Sequence, residues 1–269
     1  MSQDVFERWG IKHLSPSSIN LYISDPSLWI IRYLLKLETG GSSAMARGSA
    51  VDNALGSWFG LHPSETRRSI TQCQMDGLKS MDDYRSEQKK KGFWDDEKHY
   101  EKFNKERELL PRYIKTAIDF YTDFDDRPSG YQEKVIYESK KLPIPIVGYL
   151  DLIYESDGIV RDIKTVSRKV SENTFAINRQ LSLYGYVKGM LPIADYILVN
   201  KSSTHVESIE CSNVEGSLDE LERGALAIMK FLSISDDIND LLSLHFPNFD
   251  DFKWSDLRKE KDIRSLWRK

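Results

Sequence analysis

Ile146 to Tyr184, IVGYLDLIYESDGIVRDIKTVSRKVSENTFAINRQLSLY, is the stretch whose reading decides the fold. Its first part alternates around Asp157-Gly158, a pair favoured in tight β-hairpin turns because the central residues there need positive φ. The pattern predicts two strands, about 146–155 and 159–166. Register then decides what those strands present. With a two-residue loop Asp151 stands opposite Lys164 and Ile153 opposite Asp162. A four-residue loop shifts the pairing by two and still leaves Asp151, Asp162 and Lys164 on one face, whereas a three-residue loop would separate them.

Diagonal neighbours on such a face lie roughly 7 Å apart, close enough to share a cation. Two carboxylates at that spacing, flanked by Val147, Ile153 and Val160, repel each other and resist burial unless positive charge sits between them. A hard divalent cation held by carboxylates and water suits that position. Spacing alone leaves a second reading open, a solvent-facing hairpin that happens to carry two acids and a lysine.

Three short motifs follow one another in this stretch: Gly148-Tyr149-Leu150-Asp151, Asp162-Ile163-Lys164 and Gln180-Leu181-Ser182-Leu183-Tyr184. Together they resemble the core of the PD-(D/E)XK nucleases, in particular the RecB-like branch, which reads Gly-x-x-Asp, a turn, Asp-x-Lys, then a helix with Gln-x-x-x-Tyr. The resemblance implies an α/β, restriction-endonuclease-like core: a mixed β-sheet flanked by helices. It implies a catalytic set of Asp151, Asp162, Lys164, Gln180 and Tyr184. It also implies Mg2+ or Mn2+ held by Asp151, Asp162 and the main-chain carbonyl of Ile163. DNA is the implied substrate, cut to leave 5′-phosphates. A stand-alone exonuclease of DNA recombination, repair or phage DNA processing is the expected role, with a single-strand-binding or annealing protein as a further partner. A restriction-type endonuclease and a catalytically idle nucleic-acid-binding module are the rivals.

Upstream, Ser15-Pro16 opens a short helix to about Ser24, and Asp25-Pro26 opens a second to Leu37 with an apolar stripe of Leu28, Ile31, Leu34 and Leu35. This opening is similar to RecB-like chains, where Ser-x-Ser precedes a helix and then Cys-Pro; Asp25 stands where they carry Cys. The small-residue run Ala44 to Leu55 reads as a helix. In the resembling family this helix carries a metal-binding His, and Asp52 occupies that position, an equally good oxygen ligand for a hard cation.

With 269 residues the chain suits a single nuclease domain, with 61–121 as a charge-dense helical insertion, a helical C-terminal part and a basic tail over 251–269. In the insertion, Lys89 to Lys91 interleave with Phe93, Trp94, Tyr100 and Phe103, which leaves a solvated helix face or a stacking wall for unpaired bases. Strands are expected at 132–137, where Glu133 either matches a Glu common in the family or simply alternates with Val135 and Tyr137 on a half-buried strand, and at 194–200 and 205–210. A helix capped by Ser171 is expected to run to Met190 and stop before Pro192, followed by a helix at 215–231 and another within 236–251.

The net charge of -4 excludes a generic nucleic-acid coat, so any DNA contact must be local. Between Arg161 and Met190 six basic residues face two acids, 6 - 2 = +4, and Arg168, Lys169, Arg179 and Lys188 are the expected phosphate contacts. Two cysteines, Cys73 and Cys211, cannot make the four-cysteine iron-sulfur cluster of some relatives and suit a reducing compartment. No run of eighteen apolar residues occurs, so a cytoplasmic location, in a bacterium or a phage-infected cell, is expected and no membrane partner.

Overall fold

The computed structural model describes residues 2–61, 67–94, 97–124, 127–254, 257 and 263–267. Its helices are α1 (Ser2–Arg8), α2 (Pro16–Ser24), α3 (Pro26–Trp29), α4 (Ser43–Phe59), α5 (Ile70–Lys90), α6 (Glu97–Thr122), α7 (Phe175–Lys188), α8 (Val214–Leu232) and α9 (Ile238–Ser243). The described strands are β1 (Gly130–Tyr137), β2 (Ile146–Tyr154), β3 (Ile159–Val166), β4 (Leu191–Val199) and β5 (Thr204–Glu210), side by side in that order. The first three form an antiparallel meander, β4 runs parallel to β3, and β5 returns antiparallel. A parallel neighbour needs a crossover, and α7 supplies it. The expected mixed sheet flanked by helices is what the chain adopts.

Each sheet face buries its own core. On one side Ile146, Leu150, Ile153 and Val160 pack with Leu183 of α7, Leu221 and Ile228 of α8, and Ile19 of α2. On the other, Leu152, Tyr154, Ile197 and Val199 pack with Ala50 and Ala54 of α4 and Phe103, Leu110 and Ile114 of α6. The segment read as an insertion is therefore two long helices, the second of which is built into one face of the sheet. Its aromatics serve that core: Phe103 is buried, and Trp94 is buried with its indole donating to the Gly41 carbonyl at 2.7 Å. Tyr100 is exposed, but Arg85 lies over its ring, 4.5 Å from the centroid, so the stacking-wall reading loses most of its surface.

Several boundaries differ from the sequence reading for local reasons. The hairpin loop has four residues, since Tyr154 pairs with Ile159, and of its Asp-Gly pair only Gly158 has positive φ (67°). Thr174, not Ser171, caps α7, its hydroxyl accepting from the Ile177 amide at 3.3 Å. Gly189, left-handed at φ 65°, ends α7, and Pro192 lies inside β4 instead of acting as the stop. The Pro26 helix makes one α-turn and then widens into a π-helix, Ile30–Leu34, still burying Leu28 and Ile31.

The tail docks by its tryptophans. Trp254 packs with Leu28 and Ile31 and donates to Asp25 Oδ2 at 2.8 Å. Asp25, where relatives carry a cysteine, is thus a structural acceptor here. Trp267 donates to the carbonyls of Leu242 (3.0 Å) and His245 (2.8 Å). The tail's Arg258, Lys259, Lys261, Arg268 and Lys269 lie outside the described residues.

Candidate active site

The site sits where β2 and β3 part. Their ladder runs from Tyr154–Ile159 to Leu152–Arg161. Just beyond it, the Ile163 amide donates to Asp151 Oδ2 at 2.7 Å, so a carboxylate replaces a main-chain acceptor as the strands split. Side-chain alternation reverses at the same point. Leu150 and Leu152 are two apart and both fully buried, yet they enter opposite cores. Across the β1–β2 ladder the matching position is Gln132, whose φ is 50°, a conformation uncommon for a residue with a side chain. The double kink is what turns Asp151 into the split. Simple alternation brought Asp151, Asp162 and Lys164 together on paper; the protein does so by breaking that alternation.

Asp162, with 1 % of its surface exposed, forms an ion pair through Oδ2 with Lys164. Its Oδ1 accepts from Gln180 Nε2 at 3.3 Å, and Gln180 Oε1 accepts from Lys164 Nζ at 3.4 Å. The Gln180 amide also donates to the Tyr184 hydroxyl at 2.9 Å, one helical turn along α7. Tyr184 reaches this depth because residue 148 is glycine: a Cβ there would come within 2.7 Å of the Tyr184 ring. The glycine of the first motif is thus required by the tyrosine of the third.

Asp52 enters from the opposite side, on α4. Its Oδ2 accepts from the Tyr131 hydroxyl (3.1 Å) and Gln132 Nε2 (3.0 Å), and the same Gln132 nitrogen donates to Asp151 Oδ1 at 2.9 Å. One amide therefore bridges two carboxylates. Burial and then the charges of Asp162 and Asp52 push the Asp151 carboxyl well above the usual carboxylate range. Burial pulls the Lys164 ammonium down, but Asp162 and Asp151 more than offset it and its pKa lies above the ordinary value. Tyr131 and Tyr184 are both raised, by burial first and then by Asp52 and Asp162 respectively. Among the described residues no three ligand-type side chains close into a ready-made cage. The Gln132 amide holds the space between Asp52 and Asp151. Three acids sharing a cleft with a single lysine still fit a hard divalent cation: Asp151, Asp162 and Asp52 supply oxygen donors, and excess negative charge is what such an ion would relieve.

The expected phosphate contacts divide. Arg168 and Lys169 are exposed on the loop after β3. Arg179 turns away from the carboxylates, donating to Asn20 Oδ1 of α2 at 2.7 Å and pairing with Glu220 of α8 at 3.0 Å. Lys188 pairs with Glu133, so neither Lys188 nor Glu133 joins the acids. Arg161, counted above in the local positive charge, is 7 % exposed and pairs with Asp195 under the opposite face. Two residues of the site went unread in the sequence. Gln132 left no signal beyond its place on the strand before Gly-x-x-Asp. Arg47 on α4 secures the site's flank: it donates to Thr165 Oγ1 (3.1 Å) and Thr165 O (2.9 Å), pairs with Glu106 and lies over the Tyr113 ring.

A sheet that splits between Asp151 and Asp162, with an adjacent lysine and a crossover helix supplying Gln and Tyr, defines a nuclease-type core. The sequence profile of the PD-(D/E)XK nuclease superfamily matches residues 13–195, more than half of the chain, and the protein belongs to that superfamily. No curated protein matches significantly. Among solved structures, a candidate exonuclease from Eubacterium rectale superposes with a TM-score of 0.54 at 13% identity, over 86% of this chain and 84% of its own. SSO0001 is also 13% identical, over 68% of this chain and 85% of its own, with a TM-score of 0.33. The first likeness supports the fold; the second is too loose to bear on it. No described helix is long and apolar enough to cross a membrane.

Proposed function

We propose that the protein is a Mg2+- or Mn2+-dependent deoxyribonuclease, a stand-alone exonuclease of the RecB-like kind that leaves 5′-phosphates. The observation that carries this reading is the convergence of Asp151, Asp162 and Lys164 with Gln180 and Tyr184 in one cleft at the β2–β3 split. Asp151, Asp162 and Asp52 would hold the ion, with the Ile163 carbonyl as a main-chain ligand between Asp162 and Lys164. When bound, the ion lowers the pKa of water and offsets charge on the phosphate oxygens.

The chain's own groups carry the rest. Lys164, steered by Asp162 and Gln180, directs a positive point charge at the phosphoryl oxygens and stabilises the charge that develops there. Gln180 fixes the Lys164 ammonium and the Tyr184 hydroxyl in one hydrogen-bonded row, so neither has to reorganise during reaction. Water attacks phosphorus in line with the leaving 3′ oxygen; the P–O3′ bond breaks, the 3′ oxygen takes a proton, and the phosphate stays on the 5′ side. The overlap with the E. rectale candidate exonuclease over most of both chains favours end-directed cutting. Recombination, repair or phage DNA processing in the cytoplasm is the setting such an enzyme would serve.

The test is incubation of end-labelled linear duplex, single strands and closed plasmid circle with Mg2+ or Mn2+. Loss of label from the linear substrates with the circle intact is expected. A cut circle would replace this reading with an endonuclease, and tight DNA binding with no cleavage in either metal would make the protein an idle binding module.

A further inference from the structure

The catalytic cleft does not end at the carboxylates. Beyond Gln180 and Tyr184 it opens into a hollow of roughly 360 Å3 walled by Val147, Gly148 and Tyr149 of β2 and by His13 and Ser15 to Ser17. His13 also lines the next hollow, again roughly 360 Å3, whose other walls include Lys12, Arg32, Tyr33 and Lys36. No carboxylate lines either one. Lys12, Arg32 and Lys36 are exposed, and among the described residues none of the three forms an ion pair, although Asp25 is near enough for Arg32 to feel its charge. Of the other cations around the site, Arg47 is spent on Glu106, Arg161 on Asp195, Arg179 on Glu220 and Lys188 on Glu133, which leaves Arg168 and Lys169 on the loop after β3 as the rival phosphate contacts. In a chain of net charge -4, a row of unspent cations leading into a catalytic cleft is a local anion track.

The track is also preorganised. Leu14 is pinned to β2, its amide donating to the Pro145 carbonyl at 3.0 Å and its carbonyl accepting from the Val147 amide at 2.8 Å. Lys36 sits at φ 54° just past the π-helix, where Leu35 and Leu37 amides donate back to Ile30 and Ile31. In the first hollow, on the wall it shares with Gln180 and Tyr184, Tyr149 exposes 56% of its surface.

We propose that Lys12, Arg32 and Lys36 hold the phosphodiester backbone of a single nucleic-acid strand running past His13 into the catalytic cleft, with a base stacked on Tyr149 in the hollow beside Gln180 and Tyr184. This rests on the nuclease reading and moves the main phosphate contacts from α7 and the loop before it to the N-terminal segment. Base–aromatic stacking combined with a basic groove is the usual physics of single-strand capture. The orientation of the strand relative to the scissile bond follows from which end of a labelled oligonucleotide is protected.

The test is fluorescence anisotropy with a short labelled single strand in EDTA, so that binding is read with chemistry switched off. Lys12→Glu/Arg32→Glu/Lys36→Glu should bind roughly tenfold or more weakly at moderate salt, and the log–log salt slope should shrink by about 2, three contacts at ~0.7 each. The neutral triple, each residue changed to Gln, should show the same loss of slope with a smaller loss of affinity, which guards against a charge-reversed protein that misfolds. Tyr149→Ala should weaken binding with the slope retained. Wild-type affinity and slope in both triple variants, a loss seen only in Arg168→Glu/Lys169→Glu, or no strand binding by the wild type would each overturn the proposal. Failure of the nuclease reading has a different signature: strand binding lost in the triple variants while the wild type leaves DNA uncut in Mg2+ and Mn2+.

Discussion

Arg161 and Asp162 are consecutive on β3 and face opposite sides of the same sheet, and the two environments they enter are built on opposite terms. Below the sheet, Arg161 Nη1 donates to both oxygens of Asp195, at 2.8 and 2.9 Å. Tyr121 and Ser208 donate to the same carboxylate at 2.7 and 2.6 Å, and the guanidinium lies over the Phe124 ring. One charge meets one charge, and donors fill the carboxylate's remaining positions. On the Asp162 side, at the β2–β3 split, Asp151 and Asp162 are joined by Asp52 from α4, so three carboxylates meet one lysine, and Asp151 is destabilised as an anion. A balanced, enclosed pair holds structure together; an unbalanced, open cluster holds a charge deficit that a ligand can relieve.

The largest effect separating the two faces is chemical. Asp162→Asn should reduce metal-dependent DNA cleavage by about 10²–10³-fold, the scale of losing one preorganised electrostatic partner. Its stability should stay within about 1 kcal/mol of wild type, because removing one of several repelling acids offsets the lost ion pair with Lys164. Cleavage of end-labelled DNA and urea denaturation of the same preparation check both halves. An Asp162→Asn protein that cuts normally would remove the reason for calling the upper face a catalytic site.

The lower face should respond the other way. Arg161→Met leaves Asp195 buried and uncompensated, and it should lower unfolding free energy by roughly 3–5 kcal/mol in urea titrations. Cleavage per folded molecule should be nearly unchanged. A loss below ~1 kcal/mol would mean that the lower pair is not the balanced one described.

How much of this asymmetry the sequence disclosed depends on the distance over which each interaction acts. Asp151, Asp162 and Lys164 were legible as neighbours because a short hairpin is local, although the kink at Asp151 that joins them was not, and Gln180 with Tyr184 because a helix repeats every turn. Partners far along the chain were not. Glu220 lies 41 residues from Arg179 and Glu133 lies 55 from Lys188, so both cations read as free phosphate contacts. Arg47 meets Thr165 across 118 residues. The mixed sheet flanked by helices was legible from its alternating and amphipathic segments, while the boundaries of α7 were misplaced because Ser171 and Thr174 are equally good caps and Gly189 ends the helix before Pro192 is reached.

Metal-free stability should carry the mark of the upper face in its pH dependence. The folded pKa of Asp151 lies above its unfolded value, so its contribution is fully present below the unfolded pKa of about 3.9 and is lost as pH rises through the folded pKa. The thermal midpoint in EDTA should therefore fall over that window more steeply in wild type than in Asp151→Asn, whose amide does not ionise. Bound divalent metal should stabilise the wild type at neutral pH by mass action, by about 2.7 kcal/mol at a hundredfold excess over Kd, with a matching rise in the thermal midpoint, and should do far less in Asp151→Asn. Parallel pH profiles for the two proteins would show that Asp151 carries no excess charge.

The smallest effect isolates the kink that makes the two faces differ. Gln132 does two things at once: its amide bridges Asp52 and Asp151, and its backbone sits at φ 50° where side chains are disfavoured. Gln132→Ala and Gln132→Gly both remove the bridge, but only glycine relieves the backbone. Their difference therefore reports strain alone, and the glycine variant should be the more stable by roughly 1 kcal/mol in urea, since a non-glycine residue held in the left-handed region costs about 1–3 kcal/mol and glycine's greater unfolded-state freedom takes back part of it. Equal stabilities would mean that residue 132 relaxes to ordinary strand geometry once its amide is gone. In that case the bridge between the two acids, and not the backbone, is what turns Asp151 into the split between β2 and β3.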